Sequence, residues 1–365
     1  MRKIILSLLL ALVSLTISAA KPVKNVIFMI GDGMGLNQAY SGVMAQGEPL
    51  VMMSQADAVA LQETWSANKK ITDSAASGTA LACGVKTKNG MIGMSADSLE
   101  VTSILELASR NGKASGIVVT CQMFHATPAS FFAHNVTRKD NEDISRDLLT
   151  FSPDIIIGGG RKYLENRKDG FPLVAELQAQ GKQVFLSWED LKQSDALLKG
   201  KPSSQESLIA FCADEHMPDA LAGRGDYLPE AVAASIEYLK QDKDGFFLMV
   251  EGSAIDFRCH ASDIDGSVAE TLDFDKAVQV AVEFARKDKQ TLVVVTADHE
   301  TGGLSLLQSE DYKPGKSLKH KFNTTGHTGV AVPVYIFGAG AEAYPAFMQN
   351  SDHKAIMSKL MKLKQ

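Results

Sequence analysis

Ser74 opens a run of small residues, Ser74-Ala-Ala-Ser-Gly-Thr-Ala80, directly after Thr72-Asp73. A serine that begins a helix sits in the positive field of the helix N-terminus, and unpaired backbone N–H groups point past it. An anion can dock there, with the serine oxygen placed to attack it. Three other segments carry metal-type ligands behind apolar stretches. They are Ile30-Gly-Asp32-Gly-Met-Gly35, Glu251-Gly-Ser-Ala-Ile-Asp256-Phe-Arg-Cys-His260 and Thr296-Ala-Asp298-His299-Glu-Thr-Gly-Gly303. A serine nucleophile beside a multi-metal cluster implies phosphoryl transfer through a covalent phosphoserine. Asp256 and His260 are four residues apart, so a helical turn brings both to one metal. Asp298 and His299 are adjacent and reach one site only where the backbone is irregular. Gly31-Asp-Gly-Met-Gly35 misses the dinucleotide-binding spacing, and Asp32 would repel a pyrophosphate unless a metal intervened.

These residues need a frame that brings them together. Asn25–Ile30, Ser115–Thr120, Asp154–Ile157, Phe246–Val250, Thr291–Thr296 and Val332–Phe337 are short apolar runs of the kind that strands buried on both faces require. Helical patterns lie between them. Val101, Ile104, Leu105 and Ala108 form one apolar stripe, and Phe274, Ala277, Val278, Ala281 and Val282 another; Pro229–Lys240 and Asp352–Leu363 are further helices. The alternation predicts an α/β fold with a large, mostly parallel central sheet flanked by helices on both faces. In such a sheet ligands bind beyond the carboxyl ends of the strands. Asp32, the stretch from Cys121 to Thr127, Glu251, and Asp298 with His299 each follow one of these runs. The stretch from about Arg161 to Tyr227 is more charged and breaks the rhythm; it reads as an insertion over one edge of the sheet. His134, His216, His320 and His353 read as structural or surface residues.

Composition sets the outer limits. Residues 1–20 have a basic start at Arg2 and Lys3, an apolar stretch from Ile4 to Ile17 and the small residues Ser18-Ala19-Ala20, the pattern of a cleaved signal peptide. The expectation is therefore a single catalytic domain over 21–365, exported to the periplasm or secreted, with no membrane attachment after cleavage. Without Arg2 and Lys3 the 37 basic residues become 35 against 43 acidic ones, a formal −8. That field does not attract nucleic acid, and an anionic substrate would need local cations. Cys83, Cys121, Cys212 and Cys259 allow three pairings if all are bonded, and a buried free thiol is an equal reading for Cys83.

The chain resembles the alkaline phosphatases from Val26 to about Gly340. Thr72-Asp73-Ser74-Ala-Ala-Ser-Gly78, Val250-Glu251-Gly, Ala297-Asp298-His299-Glu-Thr-Gly-Gly303 and Gly326-His327-Thr328 carry the resemblance, in that order. It implies two zinc ions and one magnesium ion per chain, small phosphorylated substrates, an alkaline optimum and a homodimer. Ser74 would be the nucleophile. Asp32 would bridge one zinc and the magnesium, with Asp298 and His299 completing that zinc's ligands. Asp256, His260 and His327 would hold the second zinc, and Glu251 and Thr127 the magnesium. Arg138 matches the arginine that clamps two phosphate oxygens. Four carboxylates against three divalent ions leave a formal +2, suited to a phosphomonoester dianion.

Departures from the family pattern bear on the third metal and on phosphate. His125 stands where the best-known bacterial member has aspartate, which could change the third metal. Phe257 follows Asp256 where others carry lysine or histidine, and Arg258-Cys259 stands where small glycines are common. Cys259 reads as a packing residue rather than a stray zinc ligand. The competing readings are a phosphodiesterase or sulfatase of the same superfamily and a secreted, non-catalytic binding protein. Glu251, Thr127 and Arg138 favour monoesters, the sulfatase motif is absent, and Ser74 in full context argues against a non-catalytic role.

Overall fold

The computed structural model describes residues 22–365 except 166, 203–205, 309–312 and 315–317. The expected signal peptide therefore lies outside the described residues. Ten strands form one sheet: β1 Asn25–Gly31, β2 Ala58–Glu63, β3 Ala114–Gln122, β4 Ile155–Gly159, β5 Gln183–Phe185, β6 Leu208–Phe211, β7 Phe246–Gly252, β8 Thr291–Thr296, β9 Val332–Gly338 and β10 Phe347–Gln349. Their order is β10-β2-β9-β8-β1-β7-β3-β4-β6-β5. Every pairing is parallel except the two made by β9, which runs against both β8 and β2.

All six apolar runs are strands. In β1 every residue is buried, and its side chains alternate between two cores. Val26, Phe28 and Ile30 join one, with Leu81, Ile104, Leu105, Ile144 and Met357. Ile27 and Met29 join the other, with Leu228, Ile236, Phe274 and Val282. Helices Ser74–Cys83, Ile104–Arg110, Asn141–Thr150 and Asp352–Met361 thus cover one face, and Tyr227–Leu239 and Ile264–Asp288 the other. A strand with period-two side chains and no polar face needs helices on both sides.

The stretch from Arg161 to Tyr227 does not lie over the sheet edge; it supplies β5 and β6, which are that edge. Leu208–Phe211 is only four residues long, too short for its periodicity to stand out in charged surroundings. Next to the other edge, β2 alternates buried and exposed residues, and its apolar run, Ala58-Val-Ala-Leu61, is only four residues long. The four cysteines are free thiols, with Cys83, Cys121 and Cys259 buried. No helix among the described residues is long and apolar enough to cross a membrane.

Candidate active site

Four adjacent strands, β8, β1, β7 and β3, deliver most of the site. Register places Ile30 opposite both Glu251 and Thr296, and Glu251 opposite Val119. The carboxyl ends therefore bring Asp32, Glu251, Cys121 and Asp298 to one rim of the sheet.

Ser74 is the first residue of its helix, and Asp73 is the cap. Asp73 Oδ1 accepts from the Ala76 N–H at 3.0 Å, a bond that stabilises a helix start by about 1 kcal/mol. Its Oδ2 accepts from the Gly90 N–H at 3.0 Å and from Arg138 Nη1 at 3.2 Å. One carboxylate thus starts the nucleophile's helix and aims the arginine. The small-residue run has a packing cause. A Cβ on Gly78 would come within 2.9 Å of Ser130 Oγ and 3.2 Å of Thr127 Cα, so the helix can press against the segment bearing His125 and Thr127. Ser77 Oγ donates to the Asp298 carbonyl at 2.6 Å and ties the same helix to the metal-ligand loop.

Two donor groups flank Ser74. Asp256, His299 and His327 bring ligand atoms within 4.8 Å of one another, as do Asp32, Asp298 and His299. His299 belongs to both groups, and its Nε2 is 3.2 Å from Ser74 Oγ. His260 joins the first group, 3.3 Å from Asp256 Oδ2 and 3.1 Å from His327 Nε2. Thr301, inside the quoted motif but given no role on sequence, links the groups. Its hydroxyl donates to Asp256 Oδ1 and accepts from His299 Nδ1, which leaves the His299 Nε2 lone pair free.

The donors suit zinc. Both oxygens of Asp32 are buried without a hydrogen-bond partner. Burial, with the charges of Asp298, Asp256 and Glu251, pushes the Asp32 carboxyl well above the usual carboxylate range. Uncompensated carboxylates at this depth cost several kcal/mol each, on the order of magnitude expected for buried ions, and a divalent cation removes the cost. Imidazole and carboxylate are zinc's preferred donors.

Glu251, Thr127 and His125 meet behind this pair. Glu251 Oε1, Thr127 Oγ1 and His125 Nδ1 are buried without partners. Burial pushes the Glu251 carboxyl up to about 7, while burial and the Arg138 guanidinium push His125 down to about 3. Arg138 Nη2 donates to His125 Nε2 at 3.3 Å. Cys121, which sequence reasoning passed over as a ligand, stands in the same place. Its Sγ donates to Glu251 Oε2 at 3.2 Å, and Cys121, His125 and Glu251 form a third donor group. Its position just past Ser115–Thr120, in a chain end already rich in ligands, was the available signal.

Phe257 lies against His216, with ring centroids 4.8 Å apart, and against His125 at 5.7 Å. His216, placed on sequence among structural or surface histidines, thus stands instead beside the site; the edge segment delivers it, and its Nδ1 accepts from the Gln122 N–H at 3.1 Å. Arg258 pairs with Asp219 at 3.2 Å and Asp263 at 3.6 Å, away from Phe257. Cys259 Sγ lies 3.4 Å from Ser267 Oγ in the core and belongs to none of the donor groups. His353 is buried against Gln62 Oε1 at 2.6 Å, a structural residue.

Comparison with known proteins adds independent findings. The family model for alkaline phosphatase matches residues 23–323. Alkaline phosphatase 4 of Bacillus subtilis is 33% identical over 421 residues, covering 93% of this chain and 89% of its own length. The Escherichia coli alkaline phosphatase is 30% identical, with coverages of 88% and 82%. The structure of alkaline phosphatase from the Antarctic bacterium TAB5 matches with a TM-score of 0.86 at 34% identity, covering 95% of this chain and all of that one. A histidine-to-aspartate mutant of the TAB5 enzyme has magnesium bound in its M3 site.

Proposed function

The chain belongs to the alkaline phosphatase family and hydrolyses phosphate monoesters with bound metal, and from that premise we propose that it works through a covalent phosphoserine at Ser74. The observation that carries this is the 3.2 Å contact between Ser74 Oγ and His299 Nε2, at a helix N-terminus and between two zinc-type donor groups that share His299. Asp32, Asp298 and His299 would hold one zinc; Asp256, His260 and His327 would hold the other. When bound, the two zinc ions polarise the phosphoryl group and stabilise the attacking and leaving oxygens.

This chain's own groups do the rest. Arg138, aimed by Asp73, takes two non-bridging oxygens of the phosphoryl group in a bidentate grip. The N-terminus of the Ser74–Cys83 helix adds its field to the same anion. Ser74 Oγ, its proton given up to solvent, attacks phosphorus in line, the P–O bond to the alcohol breaks on the opposite side, and the alcohol leaves with a proton taken from solvent. Water then attacks the phosphoserine, returning Ser74 and releasing inorganic phosphate. Both half-reactions need an ionised oxygen nucleophile, so the rate rises into the alkaline range.

The family pattern puts magnesium at Glu251, Thr127 and Asp32, and a third-site magnesium in a mutant of the TAB5 enzyme supports a divalent ion there. Homodimerisation and a periplasmic or secreted location belong to the same reading. The test is acid quench of the metal-loaded enzyme with a phosphorus-labelled aryl monoester, followed by peptide mapping. Label on Ser74, absent in Ser74→Ala, is expected. Turnover without trapped label, or faster turnover of the matching diester, would overturn the reading.

A further inference from the structure

We propose that the third metal site of this enzyme is a thiolate–imidazole–carboxylate site formed by Cys121, His125 and Glu251, and that it holds zinc rather than magnesium. The inference rests on the phosphatase reading of the two neighbouring groups.

Magnesium demands hard oxygen donors in a near-octahedral shell and keeps several of its waters. Glu251 and Thr127 alone would meet that demand. The third donor group, however, is a sulfur, a ring nitrogen and a carboxylate oxygen, all within 4.8 Å of one another. Thiolate and imidazole select borderline and soft ions, zinc among them, and carry little preference for magnesium. A magnesium ion beside Glu251 Oε2 would also meet Cys121 Sγ, 3.2 Å from that oxygen.

Cys121 packs in the core beside Val119 and Met123, but its sulfur is turned toward the Glu251 carboxylate. Cys121 is fully buried, and its Sγ donates to Glu251 Oε2, with the Ser253 hydroxyl also beside it. The sulfur stands with three buried polar atoms that no well-aligned hydrogen bond satisfies: Glu251 Oε1, Thr127 Oγ1 and His125 Nδ1. Buried orphaned acceptors and donors around a thiol describe a ligand shell more economically than three unrelated vacancies in hydrogen bonding. The backbone fixes the placement. The Cys121 N–H donates to Ser253 Oγ at 3.2 Å, and the Ser253 N–H donates to Thr120 Oγ1 at 2.9 Å. These two bonds lace β3 to the end of β7, so the sulfur and the Glu251 carboxylate are held face to face. Zinc binding there releases the thiol proton, leaving a thiolate ligand.

The consequence for function is concrete. Magnesium should neither be required nor stimulate. Zinc alone should fill all three sites.

The experiment strips the protein with a chelator, reloads it with zinc in the presence of excess magnesium, and counts metals per chain by mass spectrometry. A third zinc equivalent is expected in the wild type. In parallel, cobalt-loaded protein should show the near-ultraviolet thiolate-to-cobalt charge-transfer band, which does not depend on turnover. The band should vanish in Cys121→Ser and persist in Cys259→Ser. Two zinc ions with one magnesium, or cobalt in every site without the band, would overturn the proposal and leave the zinc pair intact. A band lost in Cys259→Ser instead would overturn the assignment to Cys121. Fewer than two zinc equivalents in the wild type would overturn the phosphatase reading itself. Because the band is read in the wild type, a poorly folded variant cannot decide the matter alone.

Discussion

The Nε2 atoms of His260 and His327 face each other at 3.1 Å. Each ring is already committed on its other side: His260 Nδ1 donates to the Thr325 carbonyl at 2.5 Å and His327 Nδ1 to the Thr72 carbonyl at 2.9 Å. A carbonyl only accepts, so both Nδ1 atoms carry protons. The hydrogen bond to Asp256 pushes His260 up to about 9 in the metal-free chain, so a proton on its Nε2 occupies the place that a metal would take between the rings. Two nitrogens bound to one tetrahedral zinc at about 2.0–2.1 Å lie about 3.3 Å apart. The pair is thus built for a shared metal before any metal arrives.

His327→Asn should therefore cost metal as well as rate. Loss of a ligand that helps stabilise transition-state charge is worth several kcal/mol, on the order of a thousandfold in kcat/KM. Zinc per chain, measured after gel filtration, should fall by one equivalent. Full zinc retention with a large rate loss would assign His327 a different task.

Phe257 should make the enzyme release phosphate readily. It offers no charge where relatives place a cation, and its ring is held by His216 and His125. Arg258 cannot substitute, because Asp219 and Asp263 hold it elsewhere. Phe257→Lys should strengthen inhibition by inorganic phosphate about tenfold, the size of one charge-assisted hydrogen bond. It should lower KM with it, since a fixed cation binds substrate and product alike. Arg258→Ala should change neither. A large change in Arg258→Ala, measured as the phosphate inhibition constant, would reverse the assignment.

Without metal, Glu251 and Asp32 make stability fall as pH rises. Burial lifts Glu251 from 4.5 to about 7 and lifts Asp32 well above 3.8. An acid whose folded pKa exceeds its unfolded one binds more protons when folded. Its contribution is complete below the unfolded value and is lost as pH passes the folded one. The urea midpoint of the metal-free chain should drop between pH 4.5 and about 7, while the metal-loaded chain holds level through that window. A metal-free midpoint that rises there would contradict the placement of these groups.

Gly33 tests the precision of the metal loop. It has φ +70°, its N–H donates to Asp298 Oδ1 at 3.1 Å, and a Cβ there would lie 2.8 Å from Thr301 Oγ1 and 2.9 Å from Asp256 Oδ1. Gly33→Ala should cost about 1–3 kcal/mol of stability through backbone strain and weaken zinc retention by displacing Asp256. Gly112 has φ +75° but nothing within 4 Å of its Cβ position. Gly112→Ala should pay the backbone strain and keep its zinc. Equal zinc loss in both variants would remove the steric argument.

Much of this molecule was legible in the residues themselves, for a local reason. Strands buried on both faces must be apolar runs, so the six runs from Asn25–Ile30 to Val332–Phe337 marked the sheet. Its carboxyl edge then located Asp32, Glu251, Asp298 and His299. The four-residue spacing of Asp256 and His260 is likewise a property of one helical turn. What tertiary structure decided were juxtapositions between distant segments. The edge strands exist because β4 offers β6 a ladder and β6 in turn offers one to β5, not because their short sequences insist on it. Cys121 meets Glu251 across 130 residues, and His216 reaches Phe257 only because the edge segment folds back along the rim. Thr301 bridges Asp256 and His299 through a loop whose path Gly33 permits. A side chain's type and local period are written in its neighbours along the chain; which groups it will touch across the sheet is set by strand order, and strand order is a property of the whole fold.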